Sequence, residues 1–137
     1  MGGPAFVKLL LDTHIWLWSL LAPENLTRRV ARVLEDPKNE LWLSAISTWE
    51  LVMLVERKRV ALEKPVDAWI REAMAAVPLT EAPITHEIAL GTRHILLPHG
   101  DPADRLIAAT ARVLDLTLVT ADDRLIVGKG FPILANR

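Results

Sequence analysis

Apolar residues in this chain fall into short runs, and most runs stop at a polar residue. Phe6 to Leu11 is mostly apolar and ends at Asp12. A run of that length suits a strand buried on both faces of a parallel sheet. Leu41-Trp42-Leu43, Thr117-Leu118-Val119 and Pro132-Ile133-Leu134 repeat the pattern in shorter form. Val77-Pro78-Leu79 reads as an edge strand, because proline cannot donate to a central ladder. Between these runs the apolar period lengthens. Thr13 to Leu21 predicts a very apolar helix ended at Pro23-Glu24-Asn25. Thr27 to Glu35 predicts an amphipathic one, with Val30, Val33 and Leu34 on one face and Arg28, Arg29 and Arg32 toward the other. Further helices are expected over Ser44–Arg57, Pro65–Ala76, Thr85–His94 and Asp101–Leu114, with one turn over Asp122–Ile126. Gly2-Gly3-Pro4 makes a loose start, Asp36-Pro37-Lys38-Asn39 a turn and Leu97-Pro98-His99-Gly100 a loop. Strands alternating with helices predict an α/β class with a mostly parallel sheet. No repeat or linker divides the 137 residues, so a single domain over 1–137 is expected.

Composition narrows the picture. Apolar residues make up 51% of the chain, and mean hydropathy is positive at +0.25. That surplus points to apolar surface buried against a partner. No run approaches the roughly 18 apolar residues of a membrane span. Met1 to Ala5 is too short and uncharged for a signal peptide. Cysteine is absent, which excludes disulfides and thiolate metal sites. A cytoplasmic protein is the expectation. The formal net charge is −1, so no global basic field draws in nucleic acid. Binding to RNA or DNA must use local patches or metal ions.

Candidate chemistry rests on acids. Ligands of open α/β sheets bind outside the carboxyl ends of the strands, where Asp12 and Asp122 stand. Asp104 shares a helical face with Ile107, Ala108 and Ala111, which should pack on the sheet. Glu50 has Met53 and Leu54 at i+3 and i+4, so it too lies on an apolar face. Each acid also has an ordinary reading as a helix cap. Asp12 and Asp122 precede helices, Ser47 and Glu50 match a capping box, and Asp101 caps ahead of Pro102. As a set, Asp12, Glu50, Asp104 and Asp122 could form one acidic pocket, whose mutual repulsion calls for cations. Oxygen donors without cysteine suit Mg²⁺ or Mn²⁺, which activate water and neutralise phosphate charge in phosphodiester hydrolysis. Thr13 and Thr120 are placed to hydrogen-bond a carboxylate or a bound water.

Other features carry less. None of the four histidines has zinc spacing, so each is read as a surface or structural residue, with His14 the one nearest the pocket and His99 near Asp101. No glycine-rich phosphate loop or G-x-S-x-G element is present. Arg28, Arg29 and Arg32, and Arg57-Lys58-Arg59, are solvated faces that could touch phosphates. Arg105, beside Asp104, is the best single candidate for a phosphate or acid partner. Of the five tryptophans, Trp42 and Trp49 are expected in the core. Trp16, Trp18 and Trp69 are candidates for a groove or dimer face, with core packing the default for each.

Four segments resemble the PIN-domain proteins of the VapC toxin type. They are Leu11-Asp12-Thr13-His14-Ile15-Trp16-Leu17-Trp18, Ser44-Ala45-Ile46-Ser47-Thr48-Trp49-Glu50-Leu51, Gly100 to Ala111, and Leu118-Val119-Thr120-Ala121-Asp122. They occur in the family's order and span almost the whole chain. The resemblance implies a three-layer α/β/α nuclease fold and a metal-binding quartet of Asp12, Glu50, Asp104 and Asp122. Asp104 fits the third motif because it directly precedes Arg-Leu-Ile-Ala-Ala. Where many relatives carry a lysine after the Trp-Glu turn, this chain has Leu54. The resemblance also implies a homodimer held inactive by a cognate antitoxin, whose C-terminal segment lies across the toxin. The expected function is a Mg²⁺- or Mn²⁺-dependent endoribonuclease, the toxin of a type II toxin–antitoxin pair acting on RNA. Two rivals stand beside it. One is a PIN nuclease with a housekeeping RNA-processing role; the other is a non-catalytic binding module whose acids are caps. A small-molecule phosphatase ranks below both, for want of a phosphate-gripping loop.

Overall fold

The computed structural model describes residues 6–137; the expected loose start at Gly2-Gly3-Pro4 lies outside them. Five strands form one sheet: β1 (Lys8–Leu11), β2 (Glu40–Ser44), β3 (Thr80–Ala82), β4 (Thr117–Thr120) and β5 (Ile133–Ala135). Their order is β3-β2-β1-β4-β5, and every pairing is parallel. Leu10 lies opposite Trp42 on one side and Leu118 on the other. The chain leaves β1 toward β2 and β3, then returns to build β4 and β5 on β1's other side. That reversal opens a crevice at the carboxyl ends of β1 and β4.

Seven α-helices are described: α1 (Thr13–Leu21), α2 (Arg28–Glu35), α3 (Ala45–Glu56), α4 (Val66–Ala76), α5 (His86–Gly91), α6 (Pro102–Val113) and α7 (Asp123–Ile126). Short 3₁₀ turns follow α1 at Pro23–Asn25 and α5 at Thr92–His94. Each side of the sheet has its own core. Leu9 and Leu11 pack with Ile15, Val30, Leu51 and Ile70, from α1 to α4. Leu10 and Leu118 pack with Ile107, Ala111 and Leu125, from α6 and α7. The result is three layers, α/β/α, with β1 buried on both faces as its apolar run requires. Among the described residues no helix is long and apolar enough to cross a membrane.

Two expected boundaries move. Phe6 and Val7 are exposed and precede the paired part of β1. The edge strand is Thr80–Ala82 rather than Val77–Leu79. The Val77 amide is taken by Ala73 O at the end of α4, and Pro78 has no amide, so pairing begins where Thr80 meets Trp42. The loop before α6 is tied down by a bridge between Leu96 and Lys129. Gly130 beside it has φ +99°, and a Cβ there would meet His94 O at 2.3 Å, so only glycine fits.

Candidate active site

Asp12 follows β1 and caps α1. Its Oδ1 accepts the Thr13 amide at 2.9 Å, and its Oδ2 accepts the Thr120 hydroxyl at 2.7 Å. Thr120 closes β4, and its hydroxyl oxygen in turn accepts the Asp122 amide at 3.0 Å. Asp122 caps α7 through the Arg124 amide. For these two acids, capping and a place at the crevice coincide. Glu50 is different. The cap of α3 is Ser44, which accepts the Ile46 amide at 3.0 Å, and Ser47 is buried inside the helix. The capping-box reading of Ser47 and Glu50 is therefore corrected. Glu50 turns across to accept the Thr13 hydroxyl at 2.8 Å. In α6 the cap is Asp101, on the amides of Ala103 and Asp104. Asp104, a residue only 6% exposed, points its side chain inward from the first turn. Two of the four acids thus cap nothing, and a wholly structural account does not cover them.

All four line one cavity of about 390 Å³, together with Asp101 and Arg124. Burial pushes the Asp12 carboxyl up, against the hydrogen bonds from Thr120 and Thr13 that favour its charged form. Burial and the neighbouring acids Asp12 and Asp104 push Glu50 up to about 7, against the Thr13 hydroxyl. Burial, then Asp101, Asp12 and Asp122, push Asp104 up to about 6, and Arg124 opposes them. The guanidinium of Arg124 lies 3.4 Å from Asp122 Oδ2 and 3.7 Å from Asp104 Oδ2. Sequence reasoning passed over Arg124; its signal is its position two residues after a capping acid.

The donor set is all oxygen, carboxylates from four elements around one cavity. Such a set fits a hard divalent cation. Among the described residues no three His, Cys, Asp or Glu side chains stand close enough together to hold a metal ion as they are placed.

Thr13 and Thr120 meet carboxylates as expected. Arg105 does not join the acids: its guanidinium donates to Thr92 O at 2.9 Å, part-buried. One tryptophan assignment, Trp49 in the core, is corrected, while Trp16 takes its default place. Trp16 is core, edge-on to Trp69 at 5.8 Å, and Trp49 is 52% exposed. Trp49 stands in a second cavity of about 500 Å³ between α3 and α6, which shares Thr13, Glu50 and Asp101 with the first and extends to Arg57 and Arg59. His14 lines both cavities, its ring tilted on Trp18.

The PIN domain profile matches residues 9–129 of this chain. The chain belongs to the PIN-domain family. Within it, Ribonuclease VapC22 of Mycobacterium tuberculosis is 37% identical over 120 residues, covering 85% of this chain and 88% of the relative. Among solved structures, VapBC2 from Rickettsia felis, bound to a DNA fragment from its promoter, superposes with a TM-score of 0.69 at 18% identity, covering 94% of this chain and 98% of that one. DNA-bound VapBC from Salmonella typhimurium gives 0.61 at 19% identity, covering 95% and 98%. These likenesses establish the PIN fold, and the expected three-layer α/β/α architecture agrees with it.

Proposed function

We propose that this PIN-domain protein is a Mg²⁺- or Mn²⁺-dependent endoribonuclease, the toxin partner of an antitoxin. One observation carries the reading: Asp12, Glu50, Asp104 and Asp122, from four separate elements, line a single cavity at the sheet's reversal point. The 37% identity to a ribonuclease supports the activity, and the toxin–antitoxin complexes among the structural relatives support the partner.

In this reading the four acids hold one or two ions. When bound, such an ion lowers the pKa of water and neutralises charge on the phosphate. The chain's residues prepare for it. Thr120 and the Thr13 amide fix both oxygens of Asp12, and the Thr13 hydroxyl turns Glu50 toward the same cavity. Arg124 offers a cation at the rim. The adjoining groove extends away from the acids past the exposed indole of Trp49 to Arg57 and Arg59, neither of which is in an ion pair among the described residues. An aromatic face followed by free cations suits a single strand, base on ring and phosphate on guanidinium. A homodimer belongs to the same reading. Leu21, Leu90, Leu96 and Val127 are each more than half exposed, apolar surface of the kind that association covers.

The test is cleavage of total RNA by the purified, antitoxin-free protein, with Mg²⁺, Mn²⁺ or EDTA, beside Asp12→Asn. Discrete products that need metal and vanish in the variant are expected. Full metal-dependent activity in Asp12→Asn would sink the assignment of the site. No cleavage and no Mn²⁺ binding would favour the binding-module reading instead.

A further inference from the structure

His99 lies in the loop between the Leu96–Lys129 bridge and α6, its side chain largely covered. Its Nδ1 accepts the Asp101 amide at 3.1 Å. A nitrogen that accepts carries no proton, so in the neutral imidazole the proton sits on Nε2. Nε2 faces Asp104 Oδ2 at 3.4 Å. Both atoms are buried, and neither has another hydrogen-bond partner. The buried donor is otherwise unmatched, and the buried acceptor has besides it only the exposed Arg124 guanidinium, 3.7 Å away and outside hydrogen-bond range, so the two stand one short adjustment from pairing. Hydrogen bonds in ligand-free sites are often long and tighten when the site fills.

We propose that His99 is the positioning residue of Asp104, with Nε2–H donating to Oδ2 and leaving Oδ1 to serve the acidic cavity that Asp104 lines. Asp101 takes part from behind. It caps α6 with its side chain, while its amide sets the ring's tautomer. The Pro-His-Gly-Asp-Pro-Ala-Asp run thus works as one unit: cap, ring and carboxylate. The significance for metal binding rests on the proposed metal centre; the contact itself does not.

Partners that hold a ligating carboxylate are worth roughly 10–100-fold in metal affinity. Three variants separate positioning from simple packing. His99→Asn keeps an acceptor for the Asp101 amide and loses the donor to Asp104. His99→Gln keeps a donor at the reach of Nε2. His99→Ala loses both. Calorimetric titration with Mn²⁺ is expected to show roughly 10–100-fold weaker binding for His99→Asn and His99→Ala, and near wild-type binding for His99→Gln. Melting in EDTA is expected to show His99→Asn no less stable than His99→Gln, so the loss in affinity is not a loss of fold. Wild-type affinity in His99→Asn would overturn the proposal, as would equal loss in Asn and Gln. A second readout stands apart from metal. Long-range ¹H–¹⁵N spectra of the metal-free protein should show the Nε2–H tautomer at His99, and an Nδ1–H tautomer would refute the contact. If the wild type binds no Mn²⁺, the metal centre fails as a reading while the spectrum still decides His99.

Discussion

A single hydroxyl, that of Thr120, ties two parts of the acidic cavity together, donating to Asp12 and accepting from the Asp122 amide. Thr120→Val keeps the shape and removes both bonds. A buried acceptor left without its donor costs about 1–3 kcal/mol. The variant should melt lower by calorimetry and bind Mn²⁺ roughly 10–100-fold less tightly. Arg124 acts in the opposite sense, because a guanidinium beside Asp104 and Asp122 competes with any cation. Arg124→Ala should bind Mn²⁺ more tightly, by roughly two- to fivefold given its exposure; weaker binding would mean that it orients the carboxylates. At this scale the sequence was legible where chemistry follows from a strand end, as for Asp12, Thr13 and Thr120. It was not legible for Arg105 against Arg124. Adjacency to Asp104 put Arg105 forward, yet neighbours in a helix point about 100° apart.

Elements show a different limit. The periods of α2 and α6 orient those helices plainly, and the inward face of Asp104 follows from Ile107 and Ala111. Helices α1 and α3 are apolar on nearly every side, so no stripe says which way their tryptophans turn. That is why Trp16 proved to be core and Trp49 proved to be surface. The exposed face of α3 carries its own prediction. Stacking of a base contributes about 1–3 kcal/mol, so Trp49→Ala should weaken binding of a single-stranded RNA by roughly 5–150-fold in a background of Asp12→Asn, read by fluorescence anisotropy, while Trp49→Ala alone binds Mn²⁺ about as tightly as the wild type. Equal RNA affinity would assign the groove to a protein segment instead. Edge strand β3 escaped because the most apolar triplet, Val77-Pro78-Leu79, lies beside the paired residues and is spent on ending α4.

For the molecule as a whole, the clustered acids set its response to pH. Glu50 and Asp104 hold their protons to about 7 and about 6 in the fold, above the usual carboxylate range. Between those values and the ordinary range near 4, the folded state binds more protons than the unfolded one, so their contribution to stability falls as pH rises. The metal-free protein should therefore melt higher at pH 5 than at pH 8. Metal requires the ionised forms, so Mn²⁺ should raise the melting temperature most at pH 8 and little at pH 5. A melting curve indifferent to both variables would mean that burial and the neighbouring acids do not raise these carboxylates.

The placement of β4 also sets a schedule. Asp12 is made long before the hydroxyl that holds it, which belongs to Thr120, 108 residues later, on a strand that slots in beside β1. Non-local parallel pairings of this kind form late and slowly. A nascent chain that has not yet reached β4 carries Asp12, Glu50 and Asp104 without the strand that gathers them. A nuclease built this way should stay inert until β4 has emerged from the ribosome.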